Sequence, residues 1–480
     1  MIKLPEDGRA GLAAAERFAL DVLVDLARLV PAAPTLDVVT LELRDHPPRD
    51  LRGWTQAGWG IEVGEGTVRI PRGVLHAVID VAGGAAEQRA TERDRYSRIP
   101  PSANPLVREG LEREPVIHRA ALALQAATCK AAGRRAFRTV TAWPENRRWA
   151  AAFTHDLDVV SWWPAFTALR MVELAARRAF GRISRVAASA FGSLGFDPVF
   201  QGVTGVLNQE ASARIHSTWF ILCGTPTFNT IRAGDLTYRP ESTKARGILA
   251  QVRAAGHEIG LHGSFATLEN HYAFAEQRRR LEGVAGVPVR GIRQHYVRIH
   301  PGVTEHAMTA AGFVYDTTFG FPDRNGFRLG VADVVPRWDA ERNQRIAIDE
   351  APFTWMDRAL SKYRGVEDPV AWSRDALELA ATAREVGGLW VGLWHPNLTP
   401  ALGFPDAPPA YGATIAGVLA EAPFVAPLDT LVQWRRARRA VRATALRADG
   451  TVELEAAIAA PGPFQLRVED ADGRAAEAAR

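Results

Sequence analysis

The chain has 480 residues, 47% of them hydrophobic and 23% charged, with a formal net charge of +4. This composition excludes a disordered or fibrous chain and supplies enough apolar material for two or three domains or one large barrel. Its two cysteines, Cys129 and Cys223, show neither metal spacing nor a pairing pattern, which excludes a disulfide scaffold and suits a reducing compartment.

In chain order, the first stretch is MIKLPEDGRAGLAAAERFALDVLVDLARLV. Glu6, Asp7, Glu16, Asp21 and Asp25 interrupt it, and Leu20, Leu23, Val24 and Leu26 recur at helical spacing. It reads as an amphipathic surface helix rather than an export signal. No apolar run is long enough to span a bilayer, so the expected location is the cytoplasm. LDVVTLELR (36–44) and IEVGEGTVRIP (61–71) read as strands, the second broken by a Gly-Glu-Gly turn. Residues 1–95 are thus expected to form a small α/β module. Residues 96–145 follow as a linker arm and a helix, the arm marked by Pro100-Pro101 and Asn104-Pro105 and the helix by its alanine and leucine content.

From about residue 146 to 432, short apolar runs (WAAAFTHD, HSTWFIL, HEIGLH, RGIRQH, GFVYDTT, GLWVGLWH) alternate with helical stretches such as STKARGILAQVRAAG and AFAEQRRRLEGVAG. Sustained strand–helix alternation indicates a parallel α/β architecture. Residues 433–480 read as a helix end and three short strands with Asp-Gly turns. The run Arg435-Arg436-Ala437-Arg438-Arg439 lacks interleaved aromatics, so it reads as a solvated helix face rather than a nucleic-acid contact.

Polar residues interrupt the apolar runs at their C-terminal ends. Side chains alternate along a strand, which puts Thr154, Asp156 and Asp158 on one face and His155 with the packing residues on the other. Two ionised carboxylates on one buried face call for a cation or a raised pKa. In HEIGLH the histidines are five apart, which is neither a zinc-protease helix nor one strand face; His262, at the strand end, is the better candidate. Arg293 and His295 close the next run, and His395 closes GLWVGLWHPN. Ends of parallel strands are where catalytic groups gather. One carboxylate and two imidazoles are an ordinary ligand set for a divalent metal.

FTHDLD, GHEIGLHGS, RQHY, YDTTFGFPDRNGFRLG and LWHPN, in this order, resemble the NodB-homology polysaccharide deacetylases, in the branch whose first motif is T-H-D-x-D. The resemblance covers roughly residues 146–432. It implies a distorted (β/α) barrel with one divalent metal, commonly zinc, that hydrolyses acetyl groups on sugars. By position it makes Asp156 the general base, Asp158 and His262 metal ligands, His395 the general acid and Arg293 the residue steadying the base. The family's second metal histidine is replaced here by Ala266. His295 is the leading substitute and His271 a weaker one. Asp316 and Arg328 are expected to contact substrate, or else to brace a loop as an ion pair, and Trp355 is expected to wall the pocket. The substrate implied is a carbohydrate or glycan precursor. The alternatives are hydrolysis of another carbon–nitrogen bond, as in allantoinase-like relatives, and a non-catalytic glycan-binding barrel.

Overall fold

The structure, a computed structural model, describes the chain except residues 5–11, 34, 37, 48, 134–136, 161–162, 177, 179, 193–194, 196, 226, 228–234, 236–237, 447–451, 459–465, 470–474 and 477–480. Near the N-terminus, β1 (Ile2–Lys3), β2 (Val39–Arg44), β3 (Glu62–Gly64) and β4 (Thr67–Pro71) form a sheet in the order β1-β2-β4-β3. The β3–β4 pair is antiparallel, and Gly66, at φ 65°, supplies the left-handed turn residue that a side chain would disfavour.

The helix Ala14–Leu26 is buried through Phe18, Leu20, Leu23, Val24 and Leu26 and shares one core with Val74, Val78, Ile117, Leu124 and Trp338. The expected surface helix is therefore a core helix. Its covering partners come from remote segments, which local periodicity does not reveal.

After β5 (Phe137–Val140), the large sheet is built from β6 (Ala150–Leu157), β7 (Thr218–Cys223), β8 (Glu258–Gly263), β9 (Gly291–Gln294), β10 (Tyr315–Asp316), β11 (Val335–Asp339), β12 (Gln344–Glu350), β13 (Trp355–Met356), β14 (Leu389–Trp394) and β15 (Phe424–Val425). Its order is β11-β12-β10-β9-β8-β7-β6-β14-β13, with β15 added on β6. The pairings are parallel except β11–β12. The chain is thus a mixed α/β protein with a parallel sheet. Among the described residues the end strands β11 and β13 do not pair, so the sheet is not seen to close.

Connecting helices start on side-chain caps. Ser242 accepts from the Ala245 amide and Asn270 from the Ala273 amide, opening the helices Thr243–Ala254 and His271–Ala285. Alternation divides the sheet into two packed faces. Ala151, Phe153 and Leu157 of β6 join Trp219, Trp390 and Trp394 in the core under the helices. Ala150 and Ala152 join Phe220, Tyr315, Phe353, Leu389, Val391 and Leu393 on the opposite face. That second face, followed along β6, leads to Asp156.

At the C-terminus, β16 (Val441–Leu446) pairs antiparallel with β17 (Val452–Ala456), and β18 (Leu466–Glu469) pairs with β5 and with β19 (Ala475–Ala476). The expected Asp-Gly turns, at 449–450 and 472–473, lie outside the described residues. The arginine run on the helix Leu428–Arg439 is not solvated: Arg435 and Arg438 are buried. Asp25 accepts from Arg435, Arg438 and Arg439, and Asp333 from Arg435. Asp349 accepts from Arg436 and Arg439. No helix among the described residues is long and apolar enough to cross a membrane.

Candidate active site

Parallel pairing brings the C-terminal ends of β6, β8, β9 and β14 to one edge of the sheet, and the polar strand-end residues meet there. Asp156 is near the end of β6, and Asp158 lies just past it. His262 is in β8, Arg293 in β9, and His295 and His395 directly follow β9 and β14. Asp156, Asp158, His262, His295 and His395, together with Gln294, Tyr296 and Met356, line a cleft whose wider mouth holds Leu169, Arg170, Asn397 and Phe404, while Arg293 is buried behind it.

Each functional group is fixed from behind. The His262 Nδ1 lies 2.9 Å from the Arg293 backbone carbonyl, which only an N–H can satisfy, so Nε2 keeps its lone pair for the cleft. That Nε2 is 3.2 Å from Asp158 Oδ1. The His295 Nδ1 faces Asp235 Oδ1 at 3.3 Å, an ion contact that falls short of an aligned hydrogen bond, and its Nε2 is 3.7 Å from Asp158 Oδ1. Asp235 is itself held by the Phe265 amide at 2.7 Å. Ligand atoms from Asp158, His262 and His295 all lie within 4.8 Å of one another.

The residues present fit a divalent metal. Asp158 Oδ1 is buried without a hydrogen-bond partner, and an unsatisfied buried carboxylate oxygen is costly unless a cation meets it. Burial alone would raise the Asp158 carboxyl; the imidazoles of His295, His262 and His395 hold it well below the ordinary carboxylate range, ionised as a ligand must be. Ala266, where the family pattern has its second histidine, lies exposed beyond β8, and His271 begins the helix after it, with its ring against Tyr272. Neither is in the cluster. His295 is.

On one side of the cluster, Asp156 Oδ1 accepts from Arg293 Nη1 at 2.9 Å, leaving Oδ2 toward His262 Nε2 at 3.7 Å. Arg293 is fully buried between the Phe220 and Phe353 rings and also donates to Thr154 and Thr317, so its fork is locked. On the other side, Asp357 Oδ1 lies 2.6 Å from His395 Nδ1 and Oδ2 accepts the His395 amide at 2.7 Å. Burial lowers the His395 pKa, but Asp357 and Asp158 outweigh it and raise the net value. His395 Nε2 sits 3.6 Å from Asp158 Oδ2.

Three expected substrate contacts are corrected. Asp316 is buried beside Glu350 and hydrogen-bonds Thr317 and Thr318; burial pushes both carboxyls up, as two acids in one dry site require. Arg328 is buried on Glu87 at 2.7 Å and on the Gly320 carbonyl, which ties the N-terminal region to the long loop after β10. Trp355 is buried and stacks on Trp394 at 5.8 Å, behind the cleft wall. None of the three lines the cleft. His155 points to the opposite face, as its parity requires, with Nε2 2.9 Å from the buried Glu210.

Several cleft residues left no signal in the sequence reading. Tyr96 stacks on Tyr296 at 4.8 Å, and Arg98 donates to the Tyr296 carbonyl and the Tyr363 hydroxyl, so the proline-marked arm forms part of the cleft rim. Tyr296 and Val297 hold positive φ, 61° and 58°, a strained turn placed right after His295. Asp235, in GDLTY, carried no strand-end signal. Asp357 did, since it follows β13 directly. Because Asp235 faces the Nδ1 of the candidate ligand His295, Asp235→Asn is expected to weaken divalent-ion affinity about 10- to 100-fold while leaving the fold intact, as read by competition with a chromophoric chelator.

Comparison with known proteins adds a fold-level likeness. No family model matches the chain, and no curated protein does. Among solved structures, a protein assigned as a polysaccharide deacetylase from Mycobacterium smegmatis matches at 23% identity over 64% of this chain and 96% of its own, with a TM-score of 0.41. A chitin deacetylase from the fungal pathogen Colletotrichum lindemuthianum matches at 11% identity over 63% of this chain and 91% of its own, with a TM-score of 0.31. A CE4 family pseudoenzyme from Bacillus anthracis matches at 10% identity over 59% and 65%, with a TM-score of 0.27.

Proposed function

We propose that the protein is a metal-dependent hydrolase that removes acetyl groups from a sugar or glycan precursor. The observation that carries this reading is the convergence of Asp158, His262 and His295 within 4.8 Å, flanked by an arginine-held carboxylate and a carboxylate-held imidazole. Asp158, His262 and His295 would hold the ion, and zinc suits one carboxylate and two imidazoles. When bound, it supplies a Lewis acid that polarises an acetyl carbonyl and acidifies water.

The chain's own groups divide the remaining work. Arg293 occupies one oxygen of Asp156 and leaves Oδ2 to take a proton from the attacking water. His395, with Nδ1 on Asp357, is oriented to give its Nε2 proton to the leaving amine or alkoxide. Tyr96, Tyr296 and Tyr363 line the cleft as an aromatic rim of the kind found beside sugars, with Tyr296 stacked on Tyr96 and on His295. The cations Arg358 and Lys362 also line the cleft and set a positive field around it.

The test is acetate release from acetylated amino sugars by the full chain loaded with zinc, run beside a panel of cyclic amides. Asp156→Asn is expected to lower kcat by about 10²- to 10⁴-fold with bound metal unchanged. Equal acetate release from this variant would remove Asp156 from the role of base. Turnover of cyclic amides alone would move the reading to another carbon–nitrogen bond.

A further inference from the structure

Between β6 and β7 the chain makes two consecutive helices, Trp163–Ala176 and Phe180–Gly192, which bury Leu174 and Val186 and carry further large apolar residues on their outward faces. On the first, Leu169 and Val172 are each 66% exposed, and Ala168, Ala175 and Ala176 lie in the open around them. On the second, Phe180 is 66% and Phe191 78% exposed, with Ala187 exposed on the same side. The spacings 169, 172, 176 and 180, 187, 191 each trace one helix face. Two of their arginines turn the other way: Arg170 and Arg182 reach back to Glu367 at 2.8 and 2.6 Å.

Exposed single hydrophobic residues are ordinary, but a concentrated stripe is not. Of the ten large exposed hydrophobic residues among those described, Leu169, Val172, Phe180, Phe191 and Phe200 fall within one stretch. The same stretch, residues 161–200, has five arginines at 170, 177, 178, 182 and 185 against Glu173 and Asp197. Glu173 is paired with Arg170 and Asp197 with Lys244, whereas Arg178 and Arg185 are exposed. An apolar stripe edged by net positive charge is complementary to an anionic lipid surface. A second copy of the chain would bring the same cations to the contact and leave them without counter-charge.

We propose that the 163–192 helix pair docks this protein on an anionic phospholipid surface, with the apolar stripe of Leu169, Val172, Phe180 and Phe191 entering the interface. Leu169, Arg170 and Glu173 also line the mouth of the cleft that holds Asp158 and His395, so docking sets that mouth beside the lipid. The proposal does not depend on the hydrolase reading.

It is tested by flotation of the full chain with phosphatidylcholine vesicles with and without phosphatidylglycerol. The wild-type protein is expected to float with the anionic vesicles, less at high salt, and to stay unbound with the neutral ones. Phe180→Ser with Phe191→Ser is expected to weaken binding by about tenfold or more, from the loss of apolar area. Leu169→Ser with Val172→Ser, on the neighbouring helix, repeats the test should the first pair fail to fold. Absence of wild-type flotation, or undiminished flotation of a folded double variant, overturns the proposal. So does a wild-type dimer in sedimentation velocity that the same substitutions dissociate, which would make the stripe an interface between copies.

Discussion

Replacing Asp158 by alanine is expected to abolish stoichiometric divalent-ion binding and to lower kcat/KM for acetyl release by about 10³-fold or more, a loss of about 4 kcal/mol. Among the described residues, Asp158 is the one whose carboxylate lies within 4 Å of all three imidazoles: His262 at 3.2 Å, His295 at 3.7 Å and His395 at 3.6 Å. Its removal takes away the carboxylate that the three histidines share and leaves Asp156 beside His262 alone. His295→Ala is expected to follow the same course, because the exposed Ala266 and the outward His271 offer no replacement ligand. Metal content by plasma emission spectrometry, paired with acetate assays at matched metal concentration, decides the matter. A His295→Ala protein with full metal content and full activity would show that the third ligand lies elsewhere.

The second large effect is on stability. Asp25, on the N-terminal helix, accepts both Nη groups of Arg435 at 3.1 Å, Arg438 at 3.2 Å and Arg439 at 3.0 Å. Neutralising one member of a buried ionic cluster strands the charges that remain, and Asp25→Asn is expected to cost about 3–5 kcal/mol. Urea unfolding followed by circular dichroism measures this directly. Burial would raise the Asp25 carboxyl, but Arg435, Arg438 and Arg439 hold it far below the ordinary carboxylate range. A depressed pKa contributes stability that is fully present above the unfolded value, near 4, and is lost as pH falls below it. Wild-type stability should therefore decline in strong acid through this group, and Asp25→Asn should lack that component.

The clustering of the candidate site residues was legible because it depends on a local rule: a polar residue ending an apolar strand, with parity choosing its face. Asp156, Asp158, His262, Arg293, His295 and His395 all obey it, and parallel pairing of β6, β8, β9 and β14 brings them together. What the sequence hid was partnership over distance. The arginines of the 428–439 helix look solvated in a composition count, yet Asp25 lies 410 residues from Arg435, and Asp333 lies 102 away. Arg328 likewise finds Glu87 across 241 residues, so a loop cation that reads as a substrate contact is a buried tie. Asp235 supports His295 from a loop with no periodicity to mark it. Sheet closure is a property of end strands meeting in space, and no local pattern reports it.

The aromatic arm that supplies Tyr96 and Arg98 precedes the large sheet in the chain, while every candidate ligand comes from the sheet's own strand ends. The rim of the cleft and the candidate ion site are thus drawn from separate stretches of the chain. A substitution in the arm can therefore reshape the rim while the candidate ligand atoms keep their places.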